Sequence, residues 1–201
     1  MANNQPNQYS PERERIYAWF FQETNHQWVN FKKFYKGANK YQQYATWINI
    51  LTGIIGTILV LTILAFIQGF REDFVLPATM GTALLIGVIS VVDVVGRFDR
   101  RHVRYYRTGQ RMDDLYTDME YVLTIRLPDP DENDNELRRV CKDLVDRKDD
   151  LNGSAPQVPS KFYHELKREH AEKQEGDGNP LKWDRPNLED LRNDPSLVDQ
   201  T

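Results

Sequence analysis

The chain has 201 residues, a formal net charge of -4 and a mean hydropathy of -0.66. These values exclude a uniformly basic nucleic-acid binder, and the single cysteine, Cys141, excludes an internal disulfide and fits a reducing compartment. The averages conceal an uneven distribution: between Trp47 and Gly96 only four residues are charged, Arg71, Glu72, Asp73 and Asp93, while both flanks are dense in Lys, Arg, Asp and Glu. That pattern predicts an all-α membrane protein, an antiparallel two-helix transmembrane hairpin with long cytoplasmic helical extensions.

Residues 1–9 are expected to be disordered, and a two-transmembrane helical domain is expected over 10–126. Ser10-Pro11-Glu12 reads as a helix start: a capping hydroxyl, a proline at the first helical position, and an acid where the helix dipole favours it. From there Tyr17, Phe21, Thr24, Trp28, Phe31, Tyr35 and Ala38 recur in steps of four and three, the rhythm of a coiled-coil or bundle seam. The segment is strongly aromatic, with twelve of the chain's twenty-three aromatic residues between Tyr9 and Trp47. Gly37 is a candidate bend before the first span.

Trp47 to Ile67 is 21 residues without a charge, about 31 Å as a helix and a match to a hydrocarbon core of about 30 Å. The run begins behind a polar, aromatic segment, so no cleavable signal peptide is expected. Val75 to Gly96 forms the second span, with Pro77 expected in its first turn, where a helix tolerates proline. A helix pair buried in a soluble core would show similar runs, but nothing else in the chain is apolar enough to surround it. Only Gln68 to Phe74 separates the spans, which forces an antiparallel pair. Lys32, Lys33, Lys36 and Lys40 precede the first span, and Arg97, Arg100, Arg101, Arg104, Arg107 and Arg111 follow the second. By the positive-inside rule both termini are cytoplasmic, in a multi-pass protein of the plasma (inner) membrane.

Beyond the second span Phe98, His102, Tyr105, Gly109, Met112, Tyr116, Met119 and Leu123 keep the four-three rhythm, predicting one unbroken helix to about Arg126, stopped by Leu127-Pro128. A cytoplasmic helical region is expected over 127–175. Its acidic linker, Asp129 to Glu136, leads into an amphipathic helix with Leu137, Val140, Cys141, Leu144 and Leu151 on one face, ended by Asn152-Gly153. A short polar helix follows from Pro159-Ser160 to about Gln174. Residues 176–201 read as a disordered tail.

No catalytic constellation is present. His164-Glu165 opens like a zinc-protease motif, but Arg168 stands where the second histidine belongs, and there is no glycine-rich phosphate loop, no CxxC and no nucleophile with a base. No catalytic, metal or cofactor residue is therefore assigned, and His102 reads as a packed ring. What the spans do carry is polar and small residues at helical spacing. On the second span Thr79, Ala83, Ser90, Asp93 and Arg97 share a narrow sector that Arg100, Arg101, Arg104, Arg107 and Arg111 extend into one polar face running from membrane to cytosol. On the first, Asn49, Thr52, Gly53 and Gly56 share a face at the depth of Ser90 and Asp93, as a helix contact or a wet cavity would require. Asp93 has two readings, a functional intramembrane acid or an interfacial partner of Arg97 at i+4. The lysines and arginines either hold topology and touch anionic headgroups, each worth about 1 kcal/mol near the surface, or do more.

The stretch YAWFFQETNHQWVNFKKFYKGANKY, the hairpin, and GRFDRRHVRYYRTGQRMDDLYTDMEYVL together resemble the SLATT family over roughly residues 10 to 126, through layout and composition. The resemblance implies a membrane effector of a prokaryotic conflict (antiviral defence) system. It also implies oligomerisation into a pore and a nucleotide-generating or nucleotide-sensing partner protein. Membrane lipid and further copies of the chain are the other expected partners, with no nucleic acid. The competing expectation is a membrane-anchored scaffold whose cytoplasmic coiled coil recruits partners. An enzyme lacks the residues for its chemistry.

Overall fold

In the computed structural model, residues 9–68, 72–173 and 186–193 are described, and all elements among them are helical. α1 runs Pro11–Ile67, α2 Glu72–Gly96 and α3 Phe98–Tyr121; a π-helical turn covers Val122–Arg126; α4 runs Asp134–Ser154, α5 Ser160–Lys173 and α6 Leu188–Asn193. Two stretches, within α1 and from Val75 onward, are long and apolar enough to cross a membrane. The chain divides into two compact units, a bundle unit formed by Met1–Lys36 with Tyr106–Thr201 and a span unit formed by Gly37–Tyr105.

In the bundle unit α1 starts as its sequence dictates, with the Ser10 hydroxyl accepting from the Arg13 amide at 3.0 Å. The core gathers Phe20 and Tyr17 of α1, Leu115 and Met119 of α3, Leu123 of the π turn, Leu137 and Cys141 of α4, and Leu188 and Leu191 of α6. Burial of Cys141 pushes its thiol up to about 12, so it stays protonated and unreactive. Thr24, Gln27, Phe31 and Phe34 are also buried, so α1 packs along Arg13, Tyr17, Phe20, Thr24, Gln27, Phe31 and Phe34. Of the expected seam, Tyr17, Phe21, Thr24, Phe31 and Ala38 are buried and Trp28 and Tyr35 lie at the edge, while Phe20, Gln27 and Phe34 join the buried stripe.

Three boundaries differ from expectation. Tyr9 is 7 % exposed and donates to the Pro128 carbonyl at 2.8 Å, so order begins before residue 10. α4 continues to Ser154, one residue past Gly153, with Asn133 capping its start. In the expected tail, residues 188–193 form α6, whose leucines enter the core, while 174–185 and 194–201 lie outside the described residues.

In the span unit α1 continues helically through Gly37, so no break is found at the expected bend. Ala38, Tyr41 and Ala45 are buried, and Ile48, Thr52, Ile55, Leu59 and Thr62 are partly sheltered at the same four-three spacing. α2 carries a matching stripe, Val75, Thr79, Thr82, Ile86, Ile89, Asp93 and Gly96. The two stripes repeat at one spacing, as the faces of packed helices do. α2 begins at Glu72, which puts Pro77 in its second turn rather than its first. Nor is the helix unbroken: Arg97 takes φ +46°, a left-handed conformation that costs an L-residue about 1–2 kcal/mol, and α3 restarts at Phe98. Gly96 makes this possible, since a Cβ there would stand 2.2 Å from Cε2 of Phe98. The Phe98 ring in turn stacks with Tyr41 and Tyr44, at 6.2 and 5.7 Å between centroids.

Candidate membrane-embedded site

The apolar stretches of α1 and α2 are almost bare. None of the most hydrophobic window of α1 is buried, and only 6 % of that beginning in α2. Ile54, Val60, Leu61 and Ile67 of α1, and Leu84, Val91, Val94 and Val95 of α2, are each more than half exposed. At about 25 cal/mol per Å² of apolar surface, such a band would be heavily penalised in water.

Polar groups within the band are handled locally. Thr52 donates to the Ile48 carbonyl at 2.8 Å, Thr57 to Gly53 at 2.9 Å, Thr62 to Leu59 at 2.8 Å and Thr79 to Val75 at 2.8 Å. Thr82 bonds to both Ala78 and Thr79, and Ser90 to Ile86 at 2.8 Å. Each hydroxyl is satisfied by its own helix, as those of Thr24, Thr117 and Thr124 are in the bundle unit.

The candidate residues divide between two faces. Thr52, Gly56, Thr79 and Asp93 belong to the sheltered side, whereas Asn49, Gly53, Ser90 and Arg97 are exposed. Along the face expected from Thr79 through Arg97 into α3, Ala83 and Ser90 are more exposed than Thr79 and Asp93, and the left-handed Arg97 separates α2 from the arginines of α3. A Cβ at Gly53, Gly56, Gly81 or Gly87 would meet nothing within 4 Å, so no close helix approach inside the chain uses these glycines. The expected Asp93–Arg97 ion pair is absent among the described residues. Arg97 keeps only a backbone bond to Asp93, its amide donating to the Asp93 carbonyl at 2.8 Å. Its positive φ carries the guanidinium out of the i,i+4 geometry on which the pairing depended.

The basic residues also divide. In the bundle unit Lys36 pairs with Glu165 at 3.9 Å and with Glu169, so its charge is already engaged. Lys33 donates to Asn30 at 2.8 Å, and burial pushes its ammonium below the ordinary lysine value. Lys32 lies over the Trp28 and Phe31 rings at 5.4 and 4.9 Å. Arg107 and Arg111 are exposed and line a small concavity with Tyr35, whose phenol bonds to Asp113 at 3.1 Å. Burial, then that bond, pushes the Tyr35 phenol up to about 12. In the span unit Lys40 sits over Tyr44 at 5.9 Å and Arg101 over Tyr41 at 5.7 Å, while Arg100 and Arg104 are exposed. His102 is held by the Ala38 carbonyl at 3.0 Å, in keeping with a packed ring.

Sequence reasoning missed the bundle unit's polar clamps. Arg13 is 4 % exposed, pairs with Asp134 at 2.7 Å, and donates to the carbonyls of Asp129 and Glu132. Lys148, 7 % exposed, pairs with Glu23, and Arg126 grips Glu132 with bonds of 2.7 and 3.1 Å. The missed signal was periodicity: Arg13 precedes Phe20, Gln27 and Phe34 by whole heptads, and so sits on the buried stripe. Among the described residues no group of three or more His, Cys, Asp or Glu side chains is placed to hold a metal ion. Comparison with known protein families, with characterised proteins and with solved structures returns no match.

Proposed function

We propose that the chain is a multi-pass membrane protein of the plasma (inner) membrane whose hairpin self-associates into, or gates, a pore. Both termini are cytoplasmic in this reading, the side marked by the lysines and arginines flanking the spans. The observation that carries it is Asp93: a carboxylate on the sheltered stripe of α2, without an ion pair among the described residues, in a band where every hydroxyl is already bonded. An acid within a span costs about 2.5–3.5 kcal/mol at the centre and less near the interface, and is kept where it faces water or a partner. One hairpin cannot enclose a lumen. Several can, and a ring of Asp93 carboxylates would then be hydrated and would favour cations. Asn49, exposed on α1, and the open glycines suit contacts between copies.

The resemblance to the SLATT family extends this to an effector of a prokaryotic defence system, driven by a nucleotide-generating or nucleotide-sensing partner. The scaffold reading is favoured by one observation, the complete self-satisfaction of the span hydroxyls, which leaves little polar surface for a lumen. Membrane-potential dyes and current recordings on wild type and Asp93→Asn, matched for insertion, separate the two. Altered conductance or selectivity in the variant supports the pore. Depolarisation identical in both removes Asp93 from the conducting path, and a wild type that never depolarises membranes leaves the scaffold.

A further inference from the structure

In the bundle unit α1 and α4 enclose a groove of about 850 Å³, within the size range of small-ligand sites. Two helical ridges form it. On α1 Glu12, Arg15, Ile16 and Trp19 follow the spacing of one helix face, and on α4 Arg138, Lys142, Val145 and Asp146 do the same. Its floor is apolar, with Ile16 and Val145 at 6 % and 9 % exposed. Its wall holds Trp19, whose indole is 39 % exposed beside that apolar floor.

The rim is mixed in charge. Among the described residues neither Arg15 nor Lys142 makes an ion pair. Arg138 meets Glu12 at 3.5 Å, with the two side chains 70 % and 52 % exposed, a contact that water weakens and a ligand can replace. Glu12 and Asp146 supply acceptors on the same rim.

These features select a ligand chemistry. An indole beside an apolar floor takes a flat ring. Three cations take an anionic group, the guanidiniums by paired donors. Two carboxylates take a donating edge, as they do from the amino groups of bases. A purely anionic ligand would leave Trp19 unused and meet the carboxylates. A hydrocarbon chain would strand the charges. We propose that the α1–α4 groove binds a nucleotide, with its base against Trp19 and its phosphates toward Arg15, Arg138 and Lys142. The site stands on the groove and not on the pore reading, and binding by a protein that conducts nothing would leave it intact.

The test is calorimetric titration of the full chain in lipid nanodiscs with ATP, GTP, CTP and UTP, and with inorganic tripolyphosphate. At least one nucleotide should bind saturably with Kd below about 100 μM. Trp19→Ala should weaken it about tenfold, the scale of a lost stacking platform, while Trp19→Phe stays within about threefold. Arg15→Glu should weaken it at least as much as Trp19→Ala, and tripolyphosphate should bind about tenfold less tightly than the nucleotide. Circular dichroism and gel filtration confirm that the variants fold. Absence of saturable binding by all four nucleotides up to about 1 mM, an affinity unchanged by Trp19→Ala, or tripolyphosphate binding as tightly as the nucleotides would each overturn the assignment.

Discussion

Within the bundle unit α1 leaves Phe20 and Phe34 with 0 % and 2 % of their surface exposed, whereas within the span unit Leu61 and Ile67 of the same helix are 59 % and 72 % exposed. Charged and amide side chains diverge in parallel. In the bundle unit they reach far along the chain: Arg13 to Asp134, Lys148 to Glu23, and the Gln27 amide to the Met112 carbonyl at 2.9 Å. Hydroxyls do not divide this way: in the span unit they bond to carbonyls three or four residues back, and Thr24, Thr117 and Thr124 of the bundle unit do the same. On the membrane reading proposed above, the two regions would follow the rules of two solvents. Where water competes, stability comes from covering apolar surface and pairing charge. Where it is absent, the backbone must satisfy itself, and apolar side chains can face outward at no cost.

The largest way to break the bundle half of this contrast is Arg13→Ala, which leaves the Asp134 carboxylate with the Ser10 hydroxyl but without its cation, and the carbonyls of Asp129 and Glu132 without the Arg13 donor. Loss of a buried partner costs about 3–5 kcal/mol, and denaturant titration of the full chain in detergent should show it in the bundle unit's transition. On the span side, Ile58→Arg should raise the apparent free energy of insertion by about 2.5–3.5 kcal/mol in a membrane-integration assay, whereas Tyr163→Arg, at an equally exposed bundle position, should leave integration unchanged.

Acid should act on the bundle unit by a smaller and graded amount. Hydrogen bonds from Ser10 and then Arg13 hold the Asp134 carboxyl below its usual range, and the Arg126 guanidinium does the same for Glu132. Because their folded values are depressed, these groups contribute stability that is present above the ordinary carboxylate range of about 4 and is lost as pH falls through the folded values. Denaturation midpoints should therefore be level from pH 7 to about 5 and decline below about 4, with a shallower decline in Asp134→Asn. The smallest effect belongs to the joint after α2. Arg97→Gly removes the cost of a left-handed L-residue, about 1 kcal/mol, and a thermal melt in detergent should show a slight gain rather than a loss.

Much of this contrast was legible in the sequence, because its signals are local. The apolar runs, the Ser10-Pro11 start, the stop at Leu127-Pro128 and the Ser160 helix all depend on neighbours a few residues apart. The errors arose where distant contacts decide. The clamp of Arg13 spans 121 residues to Asp134 and cannot be read from either end. α6 is short and polar overall, and only Leu188 and Leu191 meeting the core give it a place. Five of the seven expected seam positions of α1 are buried, and Trp28 and Tyr35 give way to Gln27 and Phe34 because the side opposite decides which ridge is covered. Asp93 and Arg97 looked like an i+4 pair only while the helix was taken to run on through Arg97.

The lipid setting of the span unit is tested most directly by spin labels at Val60 and Val88, both more than half exposed, with a label at Tyr163 as the bundle reference. Native Cys141 is buried, so engineered cysteines label over a low background. In liposomes, Val60 and Val88 labels should be relaxed strongly by oxygen and scarcely by a water-soluble nickel chelate, and the Tyr163 label should show the reverse. Nickel accessibility at Val60 and Val88 equal to that at Tyr163 would mean that this apolar band lies in water or against protein, and would contradict the membrane assignment.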